Sequence, residues 1–427
     1  MGSIGQLQDL WLVLAAVLAM VGLNVLMILL TVGTKGFRSL RQSWEEKYVR
    51  RTEPHLDTYL VTGQLPPELR RWQPRHRDLL AALIIAHLAL VRGSDRDQLA
   101  LLVGKLRLTD AYLELLGSRR WWRRARAAEN LGYFGGPGAV GVLTRRLSDE
   151  DETVRAVAAR ALARIGTPDA AEALALTLGN PSELTSLRVA ENLERLGAVA
   201  LPPLLPVLRT GSDRARVLAA QIVGNLRAAE ARPALLEAVR SGRHEDLRAQ
   251  ATLALGKIGD PDDLPTILRS SCDNAWPVRA QAANALGMIG EVLTIPALKE
   301  LAADSEWWVR ANAGRALARI GSAGESALVE LLTATDDFAR DRGAATLESQ
   351  GITRRVTGEL AGVDVSGKRA RAIIRAVVAI GATRYLTRLA ESMTDGPHRQ
   401  MLKAILDDAA PEAERSRLQE DVPVGTE

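Results

Sequence analysis

One motif returns along this chain at nearly constant spacing, and that period constrains the fold more than any other feature. Residues 275–290 read A-W-P-V-R-A-Q-A-A-N-A-L-G-M-I-G, 306–321 read E-W-W-V-R-A-N-A-G-R-A-L-A-R-I-G, and 152–166 read E-T-V-R-A-V-A-A-R-A-L-A-R-I-G. Looser copies lie at 122–135, 187–197, 214–227, 246–259, 338–351 and 369–381. They close on Gly135, Gly166, Gly197, Arg227, Gly259, Gly290, Gly321, Gly351 and Gly381, at spacings of 31, 31, 30, 32, 31, 31, 30 and 30. Such self-similarity is the mark of stacked units that each contact only their neighbours. It also explains how 427 residues with only 4% aromatics avoid the need for one large core.

Within a unit the pattern gives two helices. Signals such as Thr167-Pro168-Asp169 and Asp260-Pro261-Asp262 follow the closing position and start a first helix. Pro203, Pro233, Pro265 and Pro296 each stand six residues after a closing position and fit a recurring bend or helix start. A polar turn leads to the second helix, which carries the motif. Asp149, Asp273 and Asp304 each stand six residues before a motif arginine, namely Arg155, Arg279 and Arg310. Carboxylate and guanidinium at this spacing predict charge-assisted bonds along the stack.

Outside the array, residues 10–32 form an apolar run of 23 residues without a charge. At about 1.5 Å per residue a helix of that length crosses a hydrocarbon core of roughly 30 Å. The flanks place Asp9 before it and Lys35, Arg38, Arg41, Lys47, Arg50 and Arg51 after it. The positive-inside rule then predicts a single-pass inner-membrane anchor, with the N-terminus outside and the repeats in the cytoplasm. The divisions expected are an anchor at 1–34, a basic juxtamembrane linker at 35–75, a helical cap at 76–118, the array at 119–410 and a disordered acidic tail at 411–427. Lys35, Arg38, Arg41 and Trp44 are the candidate membrane-proximal residues.

The Asp-turn-Val-Arg-x-x-Ala-x-x-Ala-Leu-Gly-x-Ile-Gly pattern, over roughly 120–385, resembles HEAT repeats of the short kind also called PBS-lyase HEAT-like. Ordinary HEAT units are longer, at about 40–47 residues. Ser186 and Ala370 depart from the motif arginine, and Arg227 from the glycine. The resemblance implies an all-α, right-handed α-solenoid of about nine hairpins, here preceded by one transmembrane helix. It also implies that the second helices line a concave surface.

Counted from the motif arginine, positions +2, +5 and +9 share the helix face opposite the Ala/Leu/Ile core positions. In consecutive units they supply Gln221, Asn225, Gln250, Lys257, Gln281, Asn284, Asn312, Arg315 and Arg319, an amide-rich and basic stripe suited to a protein segment. Trp122 and Trp308, each the second of a Trp pair at the turn before the motif arginine, are candidate anchors for a partner. The first of each pair, like Trp276, is expected to pack on the following turn. Arg119, Arg120, Arg123, Arg124 and Arg126 surround Trp121 and Trp122.

The five histidines are scattered, Cys272 is the single cysteine, and no phosphate loop or paired-carboxylate constellation occurs. No metal, cofactor or catalytic residue is therefore expected. The leading expectation is a membrane-anchored, cytosolic scaffold for a membrane-associated protein partner, with analogy to accessory proteins of membrane glycosyltransferases in surface-polysaccharide systems. Two rivals follow from the resemblance. One is a bilin lyase-like enzyme or chaperone. The other is a nucleic-acid-binding HEAT protein, against which stand a net charge of only +4 and the acids Glu129 and Glu191 on the same face.

Overall fold

The computed structural model is all-helical, with no strand among the described residues. It describes the backbone of 2–136, 138–180, 182–241, 243–394 and 396–420, and the side chains of most residues between 20 and 408. Two compact units divide at residues 165 and 166.

The first unit opens with one long helix, Gly2–Thr62. It passes through the apolar stretch and the basic segment without a break. Its last turns bury Leu56 and Tyr59 against Leu80, Ile84, Leu99 and Leu102. Tyr59 donates its hydroxyl to the Gln98 carbonyl at 3.3 Å, and Trp72 donates to the Leu106 carbonyl at 3.0 Å. Helix Arg77–Leu90 lies in this core, where His87 sets Nδ1 2.9 Å from the Leu83 carbonyl.

The expected membrane anchor does not hold. Among the described residues no helix is long and apolar enough to cross a membrane. The inner-membrane placement, with its N-terminus outside, is corrected accordingly. Most side chains of the run at 10–32 lie outside the described residues, and the helix that holds it continues to Thr62. Lys35 and Trp44 sit exposed on that same helix, with the Trp44 ring 5.1 Å from His76, while the side chains of Arg38 and Arg41 lie outside the described residues.

The repeats are built as the period predicts. The closing residues adopt positive φ, from 60° at Gly197 to 78° at Gly321 and Gly381, the left-handed half of backbone space that suits glycine and ends a helix. Arg227 takes the same turn at φ 52° despite its side chain. Pro265 and Pro296 resolve as helix starts, each the second residue of helices Leu264–Ser270 and Ile295–Ala302. Core positions of the second helix Trp276–Ile289, such as Val278, Ala282, Ala285 and Leu286, are fully buried. Burying a Leu of this kind stabilises by about 1.5–3 kcal/mol.

Adjacent second helices approach closely through one glycine each. A Cβ placed on Gly132 would stand 2.8 Å from the Ala161 Cβ, one on Gly224 2.7 Å from that of Ala254, and one on Gly287 2.5 Å from that of Ala316. Only hydrogen fits at these positions.

The predicted charge-assisted bonds run between repeats rather than within one. Arg279 grips Asp304 of the next repeat with Nε and Nη2 at 2.6 and 3.0 Å, and its Nη1 takes the carbonyls of Asp273 and Asn274 in its own turn. Arg248 meets Asp273 at 2.9 and 2.9 Å, and Arg124 meets Asp149 at 2.9 and 2.7 Å. Each of these aspartates also accepts a backbone amide two residues on, as Asp304 does from Glu306 at 2.9 Å. Asp304 has its carboxyl raised by burial, but the hydrogen bonds from Arg279 and Glu306 and the Arg279 charge prevail and hold it below the usual carboxylate range. Asp149 and Asp273 follow the same balance. Where Ser186 replaces the arginine, its hydroxyl donates to the Asn180 carbonyl at 3.0 Å, so the turn is closed without the inter-repeat pair.

Candidate functional site

In the second unit the helices Glu183–Leu196, Asp213–Asn225, Glu245–Ile258, Trp276–Ile289 and Trp307–Arg319 pack side by side. The glycines that admit this approach, Gly224, Gly256 and Gly287, also floor a groove of about 840 Å³ near the helix C-termini. Its walls are Glu194, Asn225, Arg227, Lys257, Met288 and Arg319. That volume lies in the range of roughly 300–1,000 Å³ that ligand sites occupy.

A relay of hydrogen bonds crosses three repeats here. Lys257 donates to Asn225 Oδ1 at 2.5 Å, and Asn225 Nδ2 donates to Glu194 Oε1 at 2.6 Å. Partial burial pushes the Lys257 ammonium down from its ordinary value, and the Glu194 charge offsets this only in part. Arg319 and Met288 stay exposed on the same strip. The result is a groove of amides that donate and accept, with three cations against one carboxylate.

The other candidates are spread along the same face with different roles. Gln221 and Gln250 are half-buried. Asn284 donates to Gln281 Oε1 at 3.0 Å, so those two amides satisfy each other. Asn312 is buried and donates to the Ala280 carbonyl of the preceding repeat at 2.9 Å, which gives it a structural bond. Arg315 hydrogen-bonds Asn312 Oδ1. Glu194, Arg227 and the glycine floor escape a reading by +2, +5 and +9 positions. Glu194 sits one residue off that stripe, and the departure of Arg227 from the closing glycine was the available signal.

The tryptophans differ from expectation. Trp121, Trp276 and Trp307 are as exposed as the second members, with Trp121 at 48% against 45% for Trp122 and Trp307 at 50% against 56% for Trp308. The first turn of each second helix lies at the open edge of the stack, so neither ring has a core to enter. In the first unit the arginine cluster around Trp122 is largely engaged. Arg124 is buried on Asp149, Arg126 pairs with Asp78 at 3.1 Å, and Arg120 and Arg123 lie 5.9 and 5.1 Å from the Trp122 ring centre. Among the described residues no group of three or more His, Cys, Asp or Glu side chains is placed to hold a metal ion.

No curated protein sequence matches the chain. Among solved structures it is similar to an engineered protein, at 19% identity over 80% of this chain and 97% of that one, with a TM-score of 0.34. It is similar to the complex of CpcE and CpcF of phycocyanin lyase from Nostoc sp. PCC7120, at 20% identity over 56% and 94% and a TM-score of 0.28. Importin beta matches at 14% identity over 88% of this chain and 60% of that one, with a TM-score of 0.46. The sequence profile of HEAT repeats matches residues 109–194, 201–274 and 267–348. These segments cover more than half of the sequence, and the chain belongs to the HEAT-repeat family.

Proposed function

We propose that this HEAT-repeat chain is a non-enzymatic scaffold whose second-unit groove takes an extended segment of a partner protein. The observation that carries the reading is the Glu194–Asn225–Lys257 relay along the groove. It holds polar groups at fixed spacing along the groove. The amides and cations recognise backbone carbonyls and side-chain acids, and exposed Met288 gives an adaptable apolar contact.

A photo-crosslinking residue at Met288 tests this against one at Glu300, which is exposed on a first helix. Met288 is expected to trap a discrete protein, and Lys257→Glu or Arg319→Glu to abolish that adduct without loss of helicity. The same adducts from Glu300, or adducts from Met288 indifferent to both charge reversals, would remove the groove from the account.

A further inference from the structure

Along the second unit Arg248 and Arg279 find carboxylates, while Arg216 takes the Leu208 carbonyl and Arg310 two carbonyls of its own turn. Arg248 holds Asp273 and Arg279 holds Asp304, each acceptor standing six residues before the next motif arginine. Six residues before Arg340 stands Ala334. Arg340 still takes the Ala334 carbonyl at 2.8 Å, so the turn is in place and only the carboxylate is missing.

The consequence is a cluster of cations. Arg310 is 9% exposed, uses Nη1 on the carbonyls of Asp304 and Ser305, and sets its guanidinium carbon 4.3 Å from the Phe338 ring centre. Arg342 lies with its guanidinium carbon 5.5 Å from the Trp307 ring centre, and its buried Nε has no hydrogen-bond partner. Burial and the charges of Arg310 and Arg315 push Arg342 below its ordinary value, opposed only in part by Asp341. Among the described residues no ion pair reaches Arg310, Arg315 or Arg342. Of the acids nearby, Asp304 is held by Arg279, Asp336 caps its helix through the Ala339 amide and Asp337 pairs with Arg340, while exposed Asp341 offsets Arg342 only in part. Trp307, Trp308 and Phe338 surround the cluster at 50%, 56% and 53% exposure.

We propose that this corner, between the first turns of helices Trp307–Arg319 and Asp337–Ser349, binds an acidic segment of a partner protein. One carboxylate of the segment stands where the missing aspartate would be, and a neighbouring aromatic side chain lies on Trp308 and Phe338. Three cations that outweigh the acids beside them and form no ion pair among the described residues supply the complementarity, and the rings supply apolar area beside it. The site shares no residue with the groove lined by Asn225, Lys257 and Arg319, so each stands or falls separately.

The probe is a fluorescein-labelled peptide of Glu-Asp-Phe-Glu-Asp, compared by anisotropy with its Gln-Asn-Phe-Gln-Asn counterpart on the full chain. The acidic peptide is expected to bind at least about tenfold tighter, a difference of about 1.4 kcal/mol. Arg342→Gln and Trp308→Ala should each weaken it. The decisive variant is Ala334→Asp, which supplies the carboxylate from within the chain. It should raise the thermal midpoint and weaken the acidic peptide by about the same tenfold factor. Equal binding of both peptides, binding of neither, or full affinity in Ala334→Asp overturns the proposal.

Discussion

A single side chain, the motif arginine, joins three parts of this protein. Arg279 closes its own turn through two carbonyls and reaches the next repeat through a bidentate carboxylate pair. Both partners are mostly buried, with side-chain exposures of 17% and 10%, so removing one strands the other away from water. Asp304→Asn should therefore destabilise by about 3 kcal/mol, read from the urea midpoint near neutral pH. The sign of the pH dependence follows from the depressed carboxyls of Asp149, Asp273 and Asp304. Their contribution is complete above the ordinary aspartate value of about 3.9 and is lost as pH falls below it. The wild type should weaken steeply below that point and Asp304→Asn less so, since it has one such group fewer. An identical acid limb in both would show that this pair stores no stability.

At the scale of the helix, what matters is how near two second helices come. Gly287 and Ala316 leave no room for a side chain between them. Gly287→Val should cost about 2–3 kcal/mol through overpacking. In that background Ala316→Gly should restore part of the loss, a coupling measurable in a double-mutant cycle. Strict additivity of the two would show that the neighbours can shift and that the close approach is incidental. This scale was also the most legible in sequence. The closing glycines, the proline starts and the Ala/Leu faces follow from local chemistry that each residue carries with it. The ladder was half legible. The six-residue spacing of Asp304 and Arg310 was plain, but the carboxylate's partner is Arg279, because the turn folds back on the preceding helix. The site was less so. Asn312 and Asn225 look alike in a list of amides, and only packing makes one a buried bond to Ala280 and the other a bridge between Glu194 and Lys257.

For the molecule as a whole, a repeat array opens in parts, and the least supported parts open first. In the second unit the helices Glu245–Ile258 and Trp276–Ile289 are tied by bidentate pairs on Asp273 and Asp304, whereas beyond Arg310 the ladder lacks its aspartate. Amide hydrogen exchange should be slowest across 245–289 and faster from 337 onward. Uniform protection throughout 245–379 would mean that the missing pair has no bearing on local opening. The polarity of these ties has a consequence for trimming the chain. In the motif pairs of Arg124, Arg248 and Arg279 the guanidinium is synthesised first and the carboxylate 25 residues later. Cutting the array from its far end thus strands a cation that has lost its counterpart, while cutting from the near end leaves an aspartate still held by its own main-chain amide. Shortened versions should tolerate loss of leading hairpins better than loss of trailing ones.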